Sequence, residues 1–339
     1  MKVVGMLMPT FSFKGDYLME NGKTFKTYVE QVEILKSRNM IIDNPESAIR
    51  FLEINNYYNV INGYKAPFLK PKSNTEEYLD NVHFQDIIQL FNADKSLCSL
   101  FLNEIIRIER MIKSITAYQF TKQYGIQYDN QKQGGDYIYI TPQYFNPDPS
   151  LHNDIIDFCN HLSKIRNDSL TKWNDLRIKH YDNFGYIPFW VFVSTMSLGD
   201  ISIFYKLLKA TDQINICNQL SSINQRYIDN SDTQNSLRII NFVRNICAHD
   251  QRLFNFKTKC TLSKNNPLIT HIQNSSPAGI VIAAAAISHF CNDAQYNAFY
   301  GKFLQILSSL INFYKDTTIR NKIIKSLKLN TIMNDILQL

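Results

Sequence analysis

Glutamate is missing from the chain beyond Glu109, and that gap divides the protein by charge. Residues 110 to 339 hold 24 lysines and arginines against 16 aspartates, a net of +8. Residues 1 to 109 hold 12 against 14, a net of −2, so the formal total is +6 at pH 7. The larger part favours a polyanion such as RNA, although many ordinary soluble proteins are also mildly basic. Cysteine pairs are missing too. Cys98, Cys159, Cys217, Cys247, Cys260 and Cys291 lie far apart with no CxxC, which leaves neither a zinc site nor a disulfide framework and points to a reducing cytoplasm. His161, His180 and His271 are scattered without ligand spacing, and Cys247-x-His249 lacks further ligands, so neither a metal nor another cofactor is expected. The opening MKVVGMLMPTFSFKG has no long apolar core and no small-residue cleavage site, which argues against a secretory signal. The most apolar stretch, Ala278 to Phe290, is too short to cross a bilayer of about 30 Å, so a soluble protein without a membrane partner is expected.

What is present is a helical periodicity over most of 339 residues, 45% of them hydrophobic, which is ample for a core. Few alternating strands occur and no internal repeat, so the expected fold is all-α. The N-terminal region, to about residue 75, should be small and helical, with Asp43-Asn44-Pro45 starting a helix, Gly63 and Pro67 as stops, and a polar turn from Pro71 to Thr75. Phe84 to Tyr124 reads as one long helix or two collinear ones, closed by Gly125. A loop rich in Gly, Pro and Tyr follows to Ser150. Further helices are expected over 151–166, 188–198, 201–210, 212–220, 233–252, 279–291, 294–315 and 317–328, with Asp200 as an N-cap. Residues 76–260 would form the main domain and 261–339 a C-terminal helical extension.

Within the 233–252 helix the run RNICAHD carries the chemistry. At about 100° per residue, Leu237, Ile240, Val243 and Cys247 share an apolar face with Arg244 in its middle. An arginine there requires a carboxylate, a subunit interface or a bound anion. Glu109 occupies a similar place in the stripe formed by Cys98, Phe101, Leu102, Ile105, Ile108 and Ile112, and a Glu109–Arg244 contact would satisfy both. Asn245 and His249 stack four residues apart, whereas Arg244 points about 140° away from His249 unless its long stem reaches round. Arginine is a permanent cation whose planar donor fork matches phosphate oxygens, and a histidine can exchange a proton near neutral pH, so the pair suits phosphodiester chemistry. Asp250 is expected to pair with Arg252 or cap the next turn. Tyr57, Tyr58, Tyr64, Lys65, Phe68 and Lys70 interleave aromatics with cations, either as an RNA-recognition surface or as core. Arg252 adds a cation beside the motif. Near the end, Arg320, Lys322, Lys325 and Lys328 flank apolar residues on a basic helix that would guide RNA or merely solvate an outer face.

Four segments resemble the Abi-like (AbiD/AbiF) family of bacterial phage-defence proteins. They are ILKSRNMIIDNPESAIRFLEINNYYNVINGYKAPFL at 34–69, EIIRIERMIKSITAYQF at 104–120, HYDNFGYIPFWVFVSTMSLGDISIFY at 180–205 and LRIINFVRNICAHDQRLFN at 237–255. Ser194 and Leu198 depart from that family's usual residues, an acid and an aromatic. The catalytic part of the family is a HEPN helical ribonuclease domain with an R-polar-x(3–5)-H motif, which Arg244, Asn245 and His249 match. The resemblance implies a HEPN-type bundle over 76–260 and metal-free cleavage of RNA. In that reaction the 2′-OH attacks phosphorus, His249 moves the proton, Arg244 holds the phosphate, and Asn245 orients the imidazole or touches the phosphate. It also implies a homodimer, since one chain carries one motif, and a toxin restrained by a noncoding RNA antitoxin. The alternative is a non-catalytic RNA-binding scaffold of a defence ribonucleoprotein.

Overall fold

The computed structural model describes residues 24–71, 76–125, 138–172, 187–273 and 276–338. The expected turn residues 72–75, most of the loop after Gly125, and the start of the 180–205 segment, including His180, lie outside them. The regular structure of the described residues is helical, with isolated bridges such as Ile41 to His83 and no strand.

In the N-terminal region α1 (Tyr28–Ser37) opens on a capping box between Thr27 and Glu30, and α2 (Pro45–Ile54) opens on Asn44 with Pro45 at its first position. A wide-turned helical segment (Tyr58–Asn62) and a 3-10 turn (Ala66–Phe68) come next. Gly63 does not end a helix there. Its missing Cβ leaves room for the Arg252 side chain, whose Cδ would lie 3.0 Å from a Cβ at that position. Phe84–Tyr124 is a single helix, α3, of 41 residues and about 60 Å. Its buried stripe runs through Leu90, Cys98, Phe101, Ile105, Ile108, Ile112 and Phe120.

After α3 come α4 (His152–Lys172), the single turn α5 (Phe189–Phe192) and α6 (Leu198–Leu207). The N-cap of α6 is Ser197, not Asp200. Ser197 Oγ accepts from the Asp200 amide at 3.1 Å and the Asp200 carboxylate accepts from the Ser197 amide at 2.7 Å, so the aspartate is the third residue of a capping box. The remaining helices are α7 (Ala210–Asn224), α8 (Asn230–Ala248), α9 (Pro267–His271), α10 (Ile280–Ser288), α11 (Asp293–Phe313), α12 (Thr317–Leu327) and α13 (Met333–Leu337). α8 and α11 pack along α3, and α6 and α10 pack on α8. Helices after residue 261 therefore share one core with the rest, from Val32 to Ile336. Arg226, in the α7–α8 connection, donates to the carbonyls of Ser288 and His289 and so satisfies the end of α10. No described helix is long and apolar enough to cross a membrane.

One buried carboxylate joins three parts of this fold. Asp94 of α3 accepts from the Tyr64 hydroxyl at 2.5 Å and from the Leu253 amide, just beyond α8, at 3.1 Å. Burial pushes its carboxyl up to about 6, against the lowering effect of those two bonds. The folded chain thus takes up a proton at Asp94 more readily than an unfolded chain with the ordinary value of 3.8. Stability from this group is full below about pH 4 and falls by roughly 3 kcal/mol as pH rises through 6. Urea melts from pH 4 to 7 should show that fall in the parent and not in Asp94→Asn; identical pH slopes would contradict it.

Candidate functional site

The RNICAHD run closes α8, and the local backbone explains why the helix stops there. His249 is the C-cap, with its amide bonded to the Asn245 carbonyl at 3.1 Å. Asp250 comes next, in the left-handed region at φ 54°. The Gln251 amide then returns to the Ile246 carbonyl at 2.9 Å and the Asp250 amide to Cys247 at 3.4 Å, a Schellman closure with aspartate where glycine is usual. Lys95 of α3 fixes the turn from outside, its Nζ 2.6 Å from Asp250 Oδ1 and 3.0 Å from the Asp250 carbonyl. Asp94, one residue earlier, holds Leu253. Asp250 therefore pairs with Lys95 and not with Arg252.

At this pinned end His249 is exposed, and Arg244 and Asn245 are half-buried. The Arg244 guanidinium donates to Asn245 Oδ1 at 3.4 Å, so its stem swings toward the side on which Asn245 and His249 stack. No carboxylate of the described residues pairs with it. The expected Glu109–Arg244 contact is absent because Glu109 accepts from Lys113, one turn along α3, at 2.6 Å. Cys247 lacks what a nucleophilic cysteine needs: its contact with Cys98 and burial both push its thiol up, away from thiolate. All six cysteines are unpaired, and among the described residues no three His, Cys, Asp or Glu side chains cluster as metal ligands would.

The N-terminal aromatic–cation patch resolves mainly into structure. Tyr64 is buried against Phe91 and Phe254 with its hydroxyl on Asp94, so it offers no face to a base. Lys65 pairs with Glu76, and Lys70 with Glu77 at 2.6 Å and Asp80 at 3.2 Å. The acids beyond residue 75 thus neutralise both lysines. Arg252 turns inward to the Gly63 carbonyl at 2.6 Å, and Lys322 of α12 to the Leu69 carbonyl at 3.0 Å. Tyr58, 60% exposed, and Lys325, also exposed, remain at the surface. At this helix end the Arg244 guanidinium meets the Asn245 side chain and the His249 amide meets the Asn245 carbonyl, whereas Tyr58, Tyr64, Lys65, Lys70, Arg252, Lys322 and Lys325 do not gather into one recognition surface. Asp94 and Lys95, which position the motif's turn, were not singled out from the sequence. The available signal was an aspartate inside the apolar stripe of α3, the same anomaly that drew attention to Glu109.

No match is found among curated proteins or solved structures. The profile of the family described as Abi-like protein matches residues 50–255, more than half of the chain. That span runs from α2, through α3 and α8, to the segment anchored by Asp94. The chain belongs to the Abi-like protein family, which links it to abortive-infection defence against phage.

Proposed function

We propose that this protein is a metal-independent HEPN-type endoribonuclease, the toxin of an abortive-infection or toxin–antitoxin system. The observation that carries this reading is the end of α8, where a half-buried arginine, paired with no carboxylate of the described residues, bonds the neighbouring asparagine, and an exposed histidine caps the helix on a doubly anchored turn. A guanidinium so placed is left to bind an anion. Phosphate suits its fork, and the basic bias beyond residue 109 supports a polyanionic substrate.

In the reaction the ribose 2′-oxygen attacks the adjacent phosphorus and loses its proton to an imidazole. The bond from phosphorus to the 5′-oxygen breaks, and that oxygen takes up a proton. The products are a 2′,3′-cyclic phosphate and a 5′-OH, and no co-reactant is needed. His249 carries the proton, a contribution of roughly 10²–10⁴-fold for such groups. Arg244 counters the charge that develops on the phosphate oxygens, and Asn245, bonded to Arg244, orients the site. Two copies of the chain meeting at their His249 ends would supply both a base and an acid. A structured noncoding RNA restraining the toxin fits the same charge.

Three measurements test this reading. RNA incubated with the protein at low salt should yield cyclic-phosphate ends at a rate unchanged by a chelator, while DNA of the same sequence is retained and left intact. Arg244→Ala and His249→Ala should each lower cleavage by at least about 100-fold; unchanged cleavage in both would overturn the assignment, and intact but retained RNA would favour the binding scaffold. Light scattering should give a dimer, and a fully active monomer would contradict the paired-site arrangement.

A further inference from the structure

A second feature on α3 lies apart from the RNICAHD motif. A groove of about 830 Å³ runs between α3 and the α5 turn with the residues just after it. Arg110, Lys113, Tyr118 and Lys122 line one side and Trp190 and Ser194 the other. Tyr118 is 57% exposed and Trp190 56% exposed. Among the described residues the lining holds three cations and no carboxylate, and Glu109, next to Arg110 on α3, bonds Lys113. No described side chain pairs with Arg110 or Lys122.

We propose that this groove binds a single-stranded RNA segment, with bases stacked on Tyr118 and Trp190 and phosphates held by Arg110, Lys113 and Lys122. The inference rests on RNA being the ligand of the motif, and it adds the surface that delivers the strand. Large aromatics left half in solvent among cations match what an unpaired nucleotide presents, π-faces linked by phosphates. A duplex keeps its bases stacked inside and cannot offer those faces, so the groove selects single strands. An acidic peptide would meet the cations but leave the aromatic pair unexplained. The groove also shares a scaffold with the motif. Cys98 touches Cys247, two residues before His249, and Arg110 lies about 18 Å further along the same helix. A strand of several nucleotides covers that span.

The test uses the full chain with His249→Ala to prevent cutting, and a labelled single-stranded oligoribonucleotide of about 12 nucleotides. The Tyr118→Ala/Trp190→Ala variant should bind it about 10-fold or more weakly, yet bind an abasic oligomer of equal length nearly as well as the parent. Both side chains are more than half exposed, so the substitution leaves the core untouched. Arg110→Glu/Lys122→Glu should reduce the slope of log affinity against log salt by about 1.4. Binding of the base-bearing oligomer within twofold of the parent, equal losses for the two oligomers, or a duplex competing as well as the single strand would each overturn the groove. Cleavage by the unsubstituted protein is measured alongside. Binding without cutting removes the ribonuclease reading and leaves the groove. Cutting by the parent, with groove variants that bind and cut as it does, removes the groove alone.

Discussion

The site depends on how the end of α8 is held. A helix terminus leaves its last carbonyls without intrahelical partners and frays unless something closes it. Here the closure is doubled. The backbone turns through Asp250 in the left-handed region, and two adjacent residues of α3 grip the chain beyond the helix, Lys95 through Asp250 and Asp94 through Leu253. Tyr64 brings the N-terminal region to the same carboxylate, and Arg252 reaches the Gly63 carbonyl beside it. His249 is thus exposed and also fixed, which a histidine on a loose terminus would not be. Burial of Asp94 costs stability once its carboxyl ionises, so the anchor is retained against a local penalty.

From that anchor comes the significance of Arg244. Lys95, Arg252 and Lys113 all have internal partners: Asp250, the Gly63 carbonyl and Glu109. Among the described residues, Arg244 meets only the side chain of Asn245, a neutral group. A half-buried positive charge in a fold that pairs its neighbours is what supports the proposed place for an external anion. The long α3 helix links this place to the aromatic and cationic groove further along, so one rigid element carries the proposed strand-binding residues and braces the proposed cutting residues.

Much of the fold was legible because long amphipathic helices carry a strong period. α3 appears with the bounds its periodicity indicates, and Asn44-Pro45 and Gly125 begin or end helices as capping rules require. The break after Phe192 was missed because an apolar run over 188–198 looks the same whether or not Ser197 restarts the helix. The short α9 and α13 carry too few turns to show a period. Site residues on one helix were legible from spacing, whereas partners across helices were not. Glu109 and Arg244 both look like buried charges in need of an opposite; the partner Glu109 takes is Lys113, four residues on in the same helix, a pairing that the spacing itself offered. Lys65 and Lys70 looked free because Glu76, Glu77 and Asp80 face them only after the chain turns back. The groove was within reach of helical-wheel reasoning, since Arg110, Lys113, Tyr118 and Lys122 fall within one half of α3. Trp190 completes it from a distant segment.

The central claim is that Arg244 and His249 engage the same phosphodiester. Its most direct test follows the imidazole resonances of His249 by NMR while a 2′-O-methyl oligoribonucleotide, which binds but lacks the attacking hydroxyl, is added. The account predicts that the His249 signals shift as the RNA binds and that this shift is lost in Arg244→Ala. RNA that binds while the His249 signals stay unmoved in the unsubstituted protein would contradict it.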